Sequence, residues 1–318
     1  MNNLMDEYSS QFRWKNFNLN MELHVAGDFI YEGIYLIDRI SQLKYEDECF
    51  QFLYNISVGI ERLEKIAYLL VAHKSGEESP TTKWKKHEHT KLYELINQHA
   101  KLEYAERELE FLKLLREFYI EGRYDRFNFS NNTEDNNKDK ELLLSYLMKY
   151  LDVKPQVLFG MESILLTPEL KASIGNVISN IVVPLYELIR ETADLLRLFT
   201  YEIRYESKSY KIFVEQDFSF SKENTAKREL IINLINNTWH HDEFIDRIKS
   251  IEPLEIEQQS ADKYISYLIN NTGHTEVKDE ITQIYEDEDN MLTRSNQIQF
   301  IGEDYFYKDD DWDDQPEV

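Results

Sequence analysis

The residues best suited to chemistry lie in four short clusters. Lys83, Trp84, Lys85, Lys86, His87 and His89 form a basic and aromatic run within an acidic chain. That composition suits a phosphate or nucleic-acid contact, and equally a solvated loop face. In RYDRF, Arg123 and Arg126 flank Tyr124, a pattern that reads a nucleotide by phosphate contact and stacking, or that closes a helix C-terminus where cations are favoured. Glu61 and Lys65 stand four residues apart, the spacing of a helix ion pair worth about 0.2–0.5 kcal/mol. His240, His241, Asp242 and Glu243 offer four potential metal ligands in a row. Adjacent residues point in different directions on a helix, whereas metal sites draw on ligands at i and i+3 or i+4, so helix capping by Asp242 fits better than metal binding. No Walker loop, Rossmann glycine fingerprint or Gly-x-Ser-x-Gly elbow occurs, which leaves nucleotide hydrolysis and serine hydrolysis unsupported. Neither a metal nor another cofactor is expected.

The elements that must position these residues read as helices. Nine Gly and six Pro in 318 residues suit long helices better than a turn-rich β-sandwich, so the expected class is all-α. Ala26, Phe29, Ile30, Gly33, Ile34, Ile37 and Ile40 recur at helical steps and predict a first helix over 25–40. Leu53, Ile56, Ile60, Leu63, Ala67 and Leu70 predict a second over 47–72. Residues 74–86 break the period with Gly76, Ser79 and Pro80 and are expected to form a loop. Leu92, Leu95 and Ile96 then mark a third helix from about His89, and Leu109, Leu112, Leu115 and Ile120 a fourth from Tyr104.

The Asn-rich stretch 130–140 reads as a polar linker between a bundle over 25–129 and a second helical region over 141–275. That second region is expected to hold helices over 141–151, 168–205 with a bend near Pro184, 226–236, 242–251 and 261–270. Residues 210–220 (YKIFVEQDFSF) are aromatic and β-branched, and predict a short hairpin or extended connector. Residues 1–24 form an N-terminal extension.

Charge and cysteine content narrow the setting. The net charge is −24, and residues 276–318 carry fifteen acidic against three basic side chains. Such a field repels nucleic acid at long range, so RNA contact requires a local basic patch. The acidic segment embeds Phe300, Tyr305, Phe306, Tyr307 and Trp312. It is expected to be a flexible tail, or a protein-partner motif with aromatic anchors, or a strap folded over the basic cluster. Cys49 is the single cysteine, which rules out an intrachain disulfide and a multi-cysteine zinc site. With no leader-like start and no run of about 18 apolar residues, a cytoplasmic protein with no membrane contact is expected.

Taken in order, the second helix carries Glu61 and Lys65, the third opens on His89 before Leu92 and Leu95, and the fourth runs into Arg123 and Tyr124. This order resembles the HEPN superfamily, in which the second helix often carries E-x-x-x-K, the third begins with His and leucines, and the fourth leads into an Arg-Tyr pair. The resemblance covers 25–129. It implies an antiparallel four-helix bundle that tends to dimerise, in toxin–antitoxin, phage-defence or RNA-processing settings, and in many members a metal-independent ribonuclease. That activity rests on an Arg followed, after four to six residues, by a His. Arg116 is the positional match, yet after six intervening residues Arg123 stands where His is expected. A guanidinium stays protonated at neutral pH and cannot serve as general base, so the resemblance carries binding better than cleavage. His87 or His89 would restore an imidazole if either folded against the end of the fourth helix.

The expected catalytic set is therefore Arg116 with His89 or His87. Arg123, Tyr124, Arg126, Lys85 and Lys86 are the expected phosphate or RNA contacts, with Glu61 and Lys65 in structural roles. The expected function is RNA or partner binding in a defence or toxin–antitoxin system. The alternatives are an antitoxin-like interaction protein and a nucleotide sensor.

Overall fold

The computed structural model describes residues 10–76, 88–122, 138–158, 161–236, 242–253, 261–270 and 288–301, with positions 277, 279 and 283. The chain divides into two compact units, 1–235 and 236–318. It is mostly helical, as the composition predicts.

In the first unit α1 (Ser10–Arg13) passes through a π-helical segment, Trp14–Leu19, into α2 (Asn20–Arg39). After β1 (Gln42–Leu43) comes α3 (Glu46–Lys74), the helix around which the unit is built. The predicted apolar series Leu53, Ile56, Ile60, Leu63, Ala67 and Leu70 is wholly buried along it. α2, α4 (His89–Asn97), α6 (Lys138–Leu151) and α7 (Pro168–Leu195) all pack on α3. A Cβ at Gly59 would stand 2.6 Å from Ile30 Cγ1 and 3.0 Å from the Ala26 carbonyl oxygen, so glycine there lets α2 and α3 approach closely. α5 (Glu106–Glu117) ends in a second π-helical segment, Phe118–Gly122.

α7 starts with Thr167, whose hydroxyl accepts from Leu170 N at 3.3 Å, and with Pro168 in the first turn. Among the described residues it is the one helix with a window apolar enough to cross a bilayer, and 50% of that window is buried within the fold. A small antiparallel sheet of order β1-β3-β2 joins Gln42–Leu43 to β3 (Met161–Leu165) and β2 (Gln156–Leu158). It ties the α2–α3 connection to the start of α7.

Three differences from the sequence reading have physical causes. The helix expected over 168–205 stops at Leu195. Arg197 takes a left-handed conformation (φ 56°), and Leu198 N reaches back to Ala193 O at 2.9 Å. This Schellman-type closure uses arginine where glycine would have announced the stop. Residues expected to be extended within 210–220 begin instead inside α8 (Lys208–Phe213). Ser207 caps α8 by accepting from Tyr210 N at 3.1 Å, and Ser209, Ile212 and Phe213 are buried. Tertiary burial outweighs the β-propensity of the aromatic and branched side chains. The expected linker 130–140 does not separate two cores, since one buried cluster runs from Leu19 through Leu143 and Ile178 to Phe220. Residues 138–140 open α6, and both Asp139 N and Lys140 N donate to the Glu46 carboxylate at 3.0 Å. α9 (Ser221–Asn236) runs to the division between the units.

The second unit holds α10 (Glu243–Lys249), α11 (Ala261–Asn270) and α12 (Glu288–Ile298). Asp242 caps α10 as predicted, accepting from Ile245 N at 3.1 Å. The segment expected to be a flexible tail contains α12, and Phe300 packs edge-on against Phe244 beneath the Arg247 guanidinium, 3.9 Å from the ring centre. Tyr305, Phe306, Tyr307 and Trp312 lie outside the described residues.

A Cβ at Gly175 would stand 2.1 Å from the Phe218 carbonyl oxygen, a backbone atom that cannot swing away. Gly175→Ala is therefore expected to lower stability by about 1–3 kcal/mol in urea unfolding. Unchanged stability would show that the contact of α7 with the 214–220 turn is looser than described.

Candidate functional site

Among the arrangements that bring chemistry-bearing side chains together in the described residues of the first unit, three involve α3 or Arg116. The first is internal. Ser57 and Glu64 stand seven residues apart on α3, two turns, and so share one face. His89, the first residue of α4, fits between them: Nε2 lies 2.9 Å from Ser57 Oγ and Nδ1 lies 2.8 Å from Glu64 Oε2. The order of groups matches a nucleophile, base and acid. None of the three is more than 1% exposed, however, so no substrate reaches the hydroxyl. The triad is a buried polar tie that fixes α4 on α3.

Burial pushes the Glu64 carboxyl above its ordinary value, against the opposing pull of His89, and Glu64 Oε1 is buried without a hydrogen-bond partner. Burial, with Glu64 nearby, also raises the Tyr104 phenol well above its usual range. Tyr104 donates instead to the Ile181 carbonyl at 3.1 Å.

The second arrangement is an open groove of about 810 Å³ between α4 and α5, lined by Glu88, Thr90, Lys91, Glu94, Lys113, Arg116 and Glu117. Lys91 is tied to Glu94 at 2.8 Å and Lys113 to Glu110. Arg116 is half-buried and, among the described residues, makes no hydrogen bond or ion pair. His89 is adjacent in sequence to two lining residues, but its ring points inward to α3, so the structure does not bring an imidazole beside Arg116 from this position. His87, Lys85, Lys86, Arg123, Tyr124 and Arg126 lie outside the described residues.

The third arrangement is a cavity of about 400 Å³ on another face of α3. Trp14, Asn18 and Leu19 reach it from the first π-helical segment, and Tyr119 from the second. Glu61 and Lys65 line it as an ion pair at the expected helix spacing, next to a pair of Arg62 with Glu22.

No group of three or more His, Cys, Asp or Glu among the described residues is arranged to hold a metal ion, and His240 and His241 lie outside those residues. The Cys49 thiol is buried and pushed up to about 12 by desolvation, which leaves it protonated and unreactive.

Sequence reasoning missed Ser57, Glu64, Trp14 and Tyr119. One signal for the triad was present: His89, Leu92 and Ile96 share one helical face, which places the imidazole with the buried leucines. No protein-family model, no curated protein and no solved structure matches the chain.

His89→Ala leaves two buried polar groups without a partner and is expected to cost about 2–5 kcal/mol in thermal or urea unfolding. Glu64 supplies a pH signature. Its raised pKa means the folded chain keeps a proton that the unfolded chain releases near the ordinary value of 4.5. The stability this provides is fully present below that value and is lost as pH rises through the folded value. Glu64→Gln should therefore lose less stability than the wild type between acidic and neutral pH. Parallel pH profiles for the two proteins would contradict the assignment.

Proposed function

We propose that this chain is a HEPN-like protein of a phage-defence or toxin–antitoxin system that binds RNA through its phosphates at the α4–α5 groove, and that it binds rather than cleaves. The observation that carries the reading is Arg116. In a chain with 60 acidic and 36 basic side chains, Arg116 is half-buried and makes no ion pair among the described residues, which leaves its guanidinium able to pair with an outside anion. Phosphate oxygens suit it because they accept two parallel N–H bonds in the geometry of the guanidinium fork.

Chain order supports the same location. Glu88 and Thr90 on the groove follow directly on the run Lys85, Lys86 and His87, and Arg116 lies seven residues before Arg123. Binding is favoured over cleavage because His89, the imidazole that the resemblance places nearest, is occupied by Ser57 and Glu64. Proton transfer to or from a ribose hydroxyl needs an imidazole within about 3 Å of it.

Fluorescence anisotropy with end-labelled single-stranded RNA, in chelator and low salt, tests this reading. Arg116→Ala is expected to weaken binding about tenfold or more, the loss of a charge-assisted contact. The RNA is expected to remain intact. Absence of RNA binding by the wild type, or equal affinity of Arg116→Ala, would sink the proposal. RNA cleavage that disappears in Arg116→Ala would move the protein into the ribonuclease class.

A further inference from the structure

We infer that the cavity between the two π-helical segments is a binding site for an uncharged nitrogen heteroaromatic of nucleobase or nucleoside size. Both π-helical segments that the described residues contain, Trp14–Leu19 and Phe118–Gly122, border this one cavity, and each places an aromatic ring on it. π-helical turns are rare and occur mostly at functional sites, since the wider backbone turn re-aims a side chain at the expense of helix geometry. The volume of about 400 Å³ falls in the range of small-molecule sites.

The lining fits a flat ring with polar edges. Leu19, Val58, Ile66 and Leu69 form apolar walls, and Trp14, 39% exposed, stands at the rim as a stacking surface. The α3 residues on the cavity, from Val58 through Glu61, Arg62, Lys65 and Ile66 to Leu69, follow three- and four-residue steps and so form one continuous stripe.

Charge selects the ligand class. Glu22 pairs with Arg62 and Glu61 with Lys65, so the formal charges within the cavity cancel. A charged ligand would have to break one of these pairs. A neutral heteroaromatic need not, because its edge can exchange hydrogen bonds with the pairs intact. The exposed Asn18 amide offers both a donor and an acceptor at the mouth.

This inference does not depend on RNA binding, because Arg116 does not line the cavity. Isothermal titration of the full chain with adenosine, guanosine, cytidine and their 5′-monophosphates tests it. The expected result is saturable binding of at least one nucleoside, tighter than that of its monophosphate once the groove is disabled by Arg116→Ala. Trp14→Leu and Tyr119→Leu are each expected to weaken it about tenfold, the effect of losing one stacking ring, while Arg116→Ala leaves it unchanged. Circular dichroism establishes that the variants fold. Asn18→Ala, at an exposed position, gives the same readout with weaker binding if either aromatic variant does not fold. Absence of binding by all three nucleosides at millimolar concentration would overturn the inference. So would tighter binding of the monophosphates that persists in Arg116→Ala, or nucleoside affinity unaffected by the cavity variants.

Discussion

The first unit depends on burying α3 from nearly every direction while that helix carries ionisable and polar groups. Its apolar series alone would make a simple core helix, but Ser57, Glu61 and Glu64 are buried with it. A buried carboxylate or hydroxyl without a partner is costly, so each must be met from outside or along the helix. His89 meets Ser57 and Glu64 from α4, and Lys65 meets Glu61 from the next turn. The first of these ties determines which way α4 faces. Because His89 turns inward, Glu88, Thr90 and Lys91 turn outward and become one wall of the Arg116 groove.

The same constraint explains why the two surface sites differ in electrostatics. On the face of α3 bordered by the two π-helical segments, the acidic and basic side chains pair with one another, and the cavity there is locally neutral. On the α4–α5 face, Lys91 and Lys113 pair with acids of their own helices, and Arg116 does not. The net negative chain thus presents one cavity whose cations are paired with its own acids, and one groove, lined also by Glu88 and Glu117, in which Arg116 makes no ion pair among the described residues. The first suits a neutral ring, the second an anion.

Much of the architecture was legible from apolar spacing, because burial of a helix face leaves a period that needs no knowledge of the partner. The α3 series and the Asp242 cap are local signals of this kind, as is the Glu61 and Lys65 pair. What escaped is decided by distant residues. Ser57 and Glu64 lie 32 and 25 positions from His89, and nothing near any one of them in the chain points to the other two. The stop of α7 at Leu195 relies on a left-handed arginine, which carries no glycine signal. The two-residue strand β1 is fixed only by pairing with β3. His89 looked available because a histidine at a helix start beside a lysine run has the composition of a binding site, while its shared face with Leu92 and Ile96 pointed to the core.

The central claim is that the outward wall of α4 and the end of α5 receive a phosphate-bearing ligand while the triad beneath serves only to hold α4. Hydrogen–deuterium exchange of the full chain with and without single-stranded RNA tests it most directly. The account predicts slower exchange over 88–94 and 113–117 on RNA addition, with the α3 amides around Ser57 and Glu64 unchanged. Protection confined to other segments, or loosening of α3 around Ser57 and Glu64 as RNA binds, would contradict it.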